Sequence, residues 1–129
     1  MQNKKDREEL SRLRSALQRH LKDLRRILKV VFGRSSLVKG NVYELARKCG
    51  KPNCACTRGH LHRSMVLTWS EGGKGHLVSI PSHRLADVKK KSEEYLRFRR
   101  ARARVTEIGR EIVAVMDRIE KLRREEPLG

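Results

Sequence analysis

The stretch KCGKPNCACTRGHLH, residues 48–62, concentrates the soft metal ligands of this chain. It contains all three cysteines and two of the five histidines: Cys49, Cys54, Cys56, His60 and His62. Zinc prefers four tetrahedral ligands drawn from thiolate and imidazole, and three cysteines with one histidine form a common structural set. Nearby lysine and arginine side chains favour the thiolate form. The spacing therefore predicts a structural zinc site with either histidine as the fourth ligand.

Two other interpretations of the cysteines stay open at this point. They can be reduced and without metal, or they can serve an iron–sulfur or redox site, although iron–sulfur clusters more often use four cysteines. The composition favours a structural metal. Only 37% of the residues are hydrophobic and five are aromatic, so the interior is thin, and metal binding would add folding free energy.

Periodicity on both sides of the cysteines predicts the fold. Before them, NVYELARKC predicts a strand, and after them SMVLTWSEGGKGHLVSIP predicts a β-hairpin that turns at Gly72-Gly73. A two-residue turn pairs Met65 with Ile80, Leu67 with Val78, and Trp69 with His76. One face of the hairpin is then apolar and can lie against helices.

Apolar residues in both end segments follow the 3-4 spacing of a heptad repeat. In the N-terminal segment the stripe comprises Leu10, Leu13, Leu17, His20, Leu24, Ile27 and Val31. In the C-terminal segment it comprises Phe98, Ala101, Val105, Ile108, Ile112, Val115, Ile119 and Leu122. The sequence therefore predicts an α+β fold, in which two long antiparallel heptad-type helices flank a small zinc-stapled module of a β-hairpin and a strand.

One domain over residues 1–129 is expected. It comprises an N-terminal helix over 4–32, a zinc-binding β module over 36–81 and a long C-terminal helix over 82–126. The N-terminus is charged and resembles no signal peptide, and no apolar run approaches the roughly 18 residues that span a bilayer. We therefore expect a cytoplasmic protein without a membrane partner.

The segment YELARKCGKPNCACTRGHLH, with the GGK hairpin and the basic helix that follow, resembles a family of short uncharacterised bacterial and archaeal proteins known as a domain of unknown function. The resemblance covers roughly residues 36–100, and KCGKPNCAC is its specific part. It supports a metal site formed by Cys49, Cys54 and Cys56. The position of the family's histidine implies His62 as the fourth ligand, with His60 as the alternate. The family implies no particular activity.

The net charge of +17 predicts a polyanionic partner. Residues 1–33, 34–83 and 84–104 each carry a net charge of +6, whereas residues 105–129 carry −1. We expect DNA or RNA to be bound mainly through its phosphates, since nothing in the sequence supplies a base-reading code. The predicted binding residues are Arg47, Lys48, Lys51, Arg58, Arg63, Lys74, Lys89, Lys90, Lys91, Arg97, Arg99, Arg100, Arg102 and Arg104.

Catalysis is not expected from this chain, and no small-molecule substrate is predicted. A catalytic zinc keeps an open position and usually has a carboxylate base nearby, but residues 34–83 contain only Glu44 and Glu71. The alternative function is a helical adaptor that recruits a larger nucleic-acid-processing protein through its heptad surfaces. The near-neutral segment 105–129 favours this, and the narrow helical stripes also make a homodimer plausible.

Overall fold

The structure, a computed structural model, describes residues 3–128 and consists of two long helices that flank a three-stranded sheet in chain order. The elements are α1 (Lys4–Val31), β1 (Asn41–Arg47), β2 (His62–Glu71), β3 (Lys74–Ser79) and α2 (Leu85–Arg123). Short 3-10 helices occupy Ala55–Arg58 and Ser82–Arg84. The predicted α+β class is confirmed. No helix among residues 3–128 combines the length and hydropathy that crossing a bilayer requires.

The chain divides into two compact units. The first contains the described residues up to Gly33 and from Phe98 onward, and the second contains Arg34–Arg97. Helix α2 contributes residues to both units. The prediction of one domain over 1–129, of which residues 1, 2 and 129 lie outside the described part, stays a prediction.

Both long helices are slightly shorter than the sequence predicts. Helix α1 begins after Asn3, whose side chain accepts a hydrogen bond from the Asp6 N–H at 2.8 Å, and it ends at Val31 instead of residue 32. Helix α2 begins at Leu85, because residues 82–84 form a tighter 3-10 turn, and it ends at Arg123 instead of residue 126. Pro127 restricts the residue before it to extended backbone, which opposes helix at residue 126.

In the first unit α1 packs antiparallel to the later part of α2. Arg118 contacts Glu9, and Glu111 lies against His20, so partners further along α1 lie earlier along α2. Most of the stripe predicted from the heptads is buried or half-buried: Leu10 and Ala101 are buried and Ile108 is fully buried, whereas Val31 at the end of α1 is 39% exposed. This agrees with the periodicity.

The sheet has the order β1-β2-β3, with both pairs antiparallel. Its hairpin has the predicted register: Leu67 pairs with Val78 and Trp69 pairs with His76. Gly72 and Gly73 form the turn with φ of +58° and +80°, the left-handed region that glycine adopts readily. The Ile80 N–H donates to the Met65 carbonyl at 2.8 Å, which extends the pairing to the predicted third pair. The predicted strand before the cysteines is β1.

The most buried residue of the sheet is Val66, which lies on the face opposite to the predicted apolar face. Val66 is in the central strand and pairs with Tyr43 on one side and Ser79 on the other. Successive residues of a strand point to opposite faces, so Met65 and Leu67 lie on the face opposite to Val66, and both are only half-buried. The sheet thus contributes apolar residues on both faces.

The chain before β1 is joined to α2 within the second unit. The buried Ser92 hydroxyl donates to the Gly40 carbonyl at 2.6 Å, and the Val38 N–H donates to the Lys91 carbonyl at 3.1 Å. Gly40 has φ +136°, and a Cβ there would lie 2.5 Å from the Thr68 carbonyl oxygen. Only glycine therefore permits this close approach of the chain to β2.

Candidate metal centre

The cysteine cluster lies in the connection between β1 and β2. Cys49 follows β1 by two residues, Cys54 and Cys56 lie at the start of the 3-10 helix Ala55–Arg58, and His62 is the first residue of β2. Arg47, the last residue of β1, pairs in register with His62, so the two strands hold the ends of this connection together.

Backbone hydrogen bonds fold the connection tightly around Cys54. Its N–H donates to the Lys51 carbonyl at 3.2 Å, and its carbonyl accepts from both the N–H and the hydroxyl of Thr57, at 3.1 and 2.8 Å. The 3-10 helix ends at Arg58 and is capped by Gly59, which has φ +96°. These bonds direct Cys54 and Cys56 toward Cys49 and the first residue of β2.

Four side chains converge there, those of Cys49, Cys54, Cys56 and His62. Their ligand atoms all lie within 4.8 Å of one another. The Sγ atoms of Cys49 and Cys56 are 3.5 Å apart, and the Cys54 Sγ lies 3.0 Å from the His62 Nε2. Two sulfurs bound to one tetrahedral zinc lie about 3.8 Å apart, since each is about 2.3 Å from the ion. The separations thus fit one shared ion.

The environment of the thiols differs from one cysteine to the next. Cys56 is fully buried and its Sγ accepts a hydrogen bond from the Cys49 N–H at 3.3 Å. Two hydrogen bonds lower the pKa of the Cys49 thiol. The one from the Lys51 backbone has the larger effect, and the one from the Cys56 thiol has the next largest. The pKa of Cys56 is raised, because burial and the thiols of Cys49 and Cys54 outweigh the lowering effect of the Cys49 N–H. Cys49 therefore ionises more readily than Cys56.

His60 and Glu44 are not among the four converging side chains. His60, the alternate fourth ligand, is outside the group that contains His62; its N–H donates to the Ala55 carbonyl at 3.2 Å. Glu44 accepts a hydrogen bond from Arg63 at 3.0 Å. The structure thus brings together the three cysteines and His62, a donor set that can hold a metal ion.

The predicted phosphate-binding residues fall into two groups. Four of them form ion pairs with acidic side chains at 2.9 to 3.7 Å: Arg63, Lys91, Arg97 and Arg104. The others are exposed and form no ion pair within residues 3–128: Arg47, Lys48, Lys51, Arg58, Lys74, Lys89, Lys90, Arg99, Arg100 and Arg102. The second group is free to contact an anion without first losing an acidic partner.

Sequence reasoning missed Lys39, another exposed lysine that forms no ion pair with any described residue. It lies next to Gly40, at the start of the sheet, and outside every basic run. The only signal for it was its place before the glycine that precedes β1. It also missed Glu111, which gives His20 a charged neighbour at 3.3 Å in the helical pair.

A family model described as "Domain of unknown function (DUF6788)" matches residues 7–90. This range includes the four converging side chains, the whole sheet and most of α1. The expected resemblance to a family of uncharacterised proteins is confirmed, and it begins within α1 rather than near residue 36. No curated protein matches the chain, and no solved structure matches it.

Proposed function

The chain belongs to this family of unknown function, and we propose that it is a small, non-catalytic zinc protein that binds nucleic acid mainly through the phosphate backbone. DNA and RNA are both candidate partners. The observation that carries the proposal is the position of exposed, unpaired basic residues on the same connection as the converging cysteines. In that arrangement the metal makes the second unit, which has a small core, rigid, and the basic residues of the connection bind the phosphates of the nucleic acid.

Zinc is the metal that best suits the donor set. Three thiolates and one imidazole are soft ligands that complete a tetrahedral site, whereas magnesium and calcium prefer oxygen. When bound, zinc supplies folding free energy, because its binding free energy is available only to the folded arrangement of ligands. Cys56 and His62 lie on opposite sides of the Gly59 turn, so one ion would hold that turn closed.

The same donor set supports a structural role over a catalytic one. Four protein ligands complete a tetrahedral zinc site and leave no position for water or substrate. A catalytic zinc also needs a general base nearby, and Glu44, the acidic residue considered for that role, is held by Arg63.

Nucleic acid is supported by the charge of the second unit. Residues 34–97 contain thirteen lysines and arginines and five acidic residues, a net charge of +8. Arg47, Lys48, Lys51 and Arg58 surround the cysteines in sequence, and each is exposed without an acidic partner in the described structure. Contacts of this kind neutralise phosphates and release counterions, which gives affinity with little sequence preference.

The metal is tested by elemental analysis of the purified protein with a matched pair of histidine variants. We expect one zinc per chain in the wild type and in His60→Ala, and loss of zinc in His62→Ala. The two histidines are two residues apart and both exposed, so the pair separates ligation from a general effect of removing imidazole. Wild-type protein without stoichiometric zinc would overturn the zinc assignment, and equal zinc in both variants would overturn the assignment of His62 as the fourth ligand.

Nucleic-acid binding is tested by titrating a labelled duplex with the full chain at several salt concentrations. We expect tight binding at about 50 mM salt and a steep loss of affinity by about 300 mM, because phosphate contacts dominate. Affinity that is unchanged across this range, or absent at low salt, would contradict the proposal.

A helical adaptor is the second candidate, and exposed apolar residues of the first unit favour it. Val113 and Met116, one turn apart on α2, are 54% and 55% exposed, and Leu21 on α1 is 49% exposed. Leu17, Met116 and Ile119 also line a groove of about 630 Å³, with charged residues beside them. An apolar groove between two helices suits a third amphipathic helix, either from a second copy or from another protein.

Light scattering and affinity capture test this second candidate. Val113→Ser and Met116→Ser together should convert a dimer to a monomer, or should remove a captured protein, without loss of nucleic-acid binding. Proteins that disappear from the captured fraction after nuclease treatment were bridged by nucleic acid and would count against a direct contact. A strictly monomeric wild type that captures no protein directly would contradict the adaptor function.

A further inference from the structure

A groove of about 640 Å³ lies in the second unit, away from the metal centre. Its walls come from the end of the sheet that contains Asn41 and Trp69, and from Tyr95 and Leu96 of α2. The volume is within the range of about 300 to 1,000 Å³ that is usual for small-ligand sites. The groove is therefore large enough to enclose part of a ligand, and neither the metal nor the ion pairs described above use it.

Two aromatic rings form one side of the groove. Trp69 and His76 face each other across β2 and β3, with ring centroids 5.1 Å apart and planes inclined by 15°. His76 is exposed and Trp69 is half-buried. The strand register and the stacking already hold both rings in place. A third planar ring can therefore stack on them without the entropic cost of ordering their side chains. This pair and the nearby Tyr95 present an aromatic surface to whatever enters.

The polar residues of the groove favour an anionic ligand. Lys39 lines it, is exposed and forms no ion pair with a described residue. Asn41 and Ser70 add hydrogen-bonding side chains, and no acidic residue of the described chain is among the lining residues. A ligand can also approach the backbone closely at Gly75, because this residue has no side chain and no atom of the protein lies within 4 Å of the position that a Cβ would occupy. Planar stacking combined with one positive charge suits a nucleotide.

We propose that this groove binds an unpaired nucleotide of a single-stranded nucleic acid, with the base stacked against the Trp69–His76 pair and a neighbouring phosphate bound by Lys39. This deepens, and rests on, the proposed binding of phosphate backbones. A base inside a duplex is already stacked on both sides and cannot enter a groove without unpairing. Phosphate contacts alone accept duplex and single strand alike, so the groove adds a preference for single strands.

The fluorescence of Trp69 reports directly on the groove, because it is the only tryptophan of the chain. The full protein is titrated at low salt with a single-stranded oligo(dA) of roughly 12 nucleotides and with a duplex of the same length. We expect the single strand to quench the tryptophan and the duplex to bind without quenching it. Adenosine monophosphate at the same nucleotide concentration should quench the fluorescence far less, because it cannot make the additional phosphate contacts that a strand makes outside the groove.

His76→Ala removes the exposed partner of the stack and should weaken oligo(dA) binding about 5- to 100-fold, while duplex binding stays unchanged. The matched control is His83→Ala, an exposed histidine outside the groove, which should bind both ligands as the wild type does. Metal content and the circular dichroism spectrum verify the fold of each variant. If His76→Ala does not fold, protection of wild-type Trp69 from iodide by oligo(dA) provides the same test.

The outcomes separate the two proposals. Salt-sensitive binding of both ligands with no change at Trp69, or with no effect of His76→Ala, would overturn the groove assignment and leave phosphate binding intact. Equal quenching by adenosine monophosphate would assign the groove to a free nucleotide and overturn the strand proposal. Absence of binding by either nucleic acid at low salt would overturn both.

Discussion

Arg118 donates two hydrogen bonds to Glu9, from its Nε to Oε1 at 2.7 Å and from its Nη2 to Oε2 at 3.0 Å. The two residues are 109 positions apart in sequence and join α1 to α2. A two-pronged contact between guanidinium and carboxylate fixes orientation as well as distance. It therefore contributes to the alignment of the two helical stripes along the first unit, together with the buried Leu10 and Ile108.

This pair should make the stability of the helical unit depend on pH. The hydrogen bond from Arg118, and then its charge, lower the pKa of Glu9 from the usual 4.5. The stabilisation is thus fully present above about pH 4.5 and is lost as the pH falls through the lower pKa of the folded state. Glu9→Gln should lower the melting temperature slightly at pH 7 and should have a smaller effect at an acid pH below the lowered pKa of Glu9, as measured by thermal unfolding. Glu8→Gln, an exposed neighbour without an ion pair in the described chain, should show no such difference; an equal effect at both pH values for Glu9→Gln would contradict the prediction.

Zinc should stabilise the protein by an amount that rises with the logarithm of its free concentration above the Kd. A ligand that binds only the folded state adds about 2.7 kcal/mol to the free energy of unfolding when it is present at 100 times its Kd. Chelation should therefore lower the melting temperature of the wild type, and it should have no effect on Cys56→Ser, which lacks a buried ligand. Thr57→Ser, one residue away, serves as the control and should respond like the wild type. A wild type that melts at the same temperature with and without chelator would refute this.

Gly40→Ala should destabilise the second unit by about 2 to 3 kcal/mol, measured by urea unfolding. The new Cβ would lie 2.5 Å from the Thr68 carbonyl oxygen and 2.8 Å from the Leu67 Cδ1, with φ at +136°. Both clash and backbone conformation oppose the substitution. Gly75→Ala is the matched control, because a Cβ there meets nothing within 4 Å, and it should cost far less. Similar losses in both variants would show that the close approach at Gly40 is not the cause.

Removal of single unpaired cations should reduce the salt dependence of duplex binding. Each phosphate contact contributes about 0.9 to the slope of log affinity against log salt. Arg58→Gln, on the metal-binding connection, should lower the slope by about that amount. Arg26→Gln is the control, since Arg26 is not among the predicted binding residues and pairs with Asp23 at 3.4 Å, and it should leave the slope nearly unchanged. Unchanged slopes in both variants would place the nucleic acid elsewhere on the protein.

Local patterns in the sequence were sufficient to predict the two long helices, the three strands and the hairpin, but not the 3-10 helices Ala55–Arg58 and Ser82–Arg84. The Gly72-Gly73 turn and the alternation around it specify the pairing of Trp69 with His76, because a two-residue turn leaves only one register. The heptad spacing likewise predicts the burial of Ile108. The fourth ligand depended on a different kind of information, since spacing alone left His60 and His62 equivalent and only the family resemblance favoured His62.

Contacts between distant segments were not predictable in the same way. No periodicity relates Ser92 to Gly40 or Arg118 to Glu9, because each pair depends on where two separate elements meet. The burial of Val66 follows from its central strand and from what covers that face, whereas the alternation by itself only divides the strand into two faces. The groove has the same origin, since its walls come from the sheet and from α2.

The unequal connections of the sheet have a consequence for the order in which the strands assemble. Strands β2 and β3 are joined by two glycines, whereas β1 reaches β2 through residues 48–61. Closing a longer loop costs more chain entropy and is slower, so the β2–β3 hairpin should nucleate and β1 should dock onto it later. An ion bound by Cys49 and His62 would bring the two ends of the connection over residues 48–61 together before β1 and β2 form their hydrogen bonds. The loop would then already be closed, so the docking of β1 onto β2 would be faster.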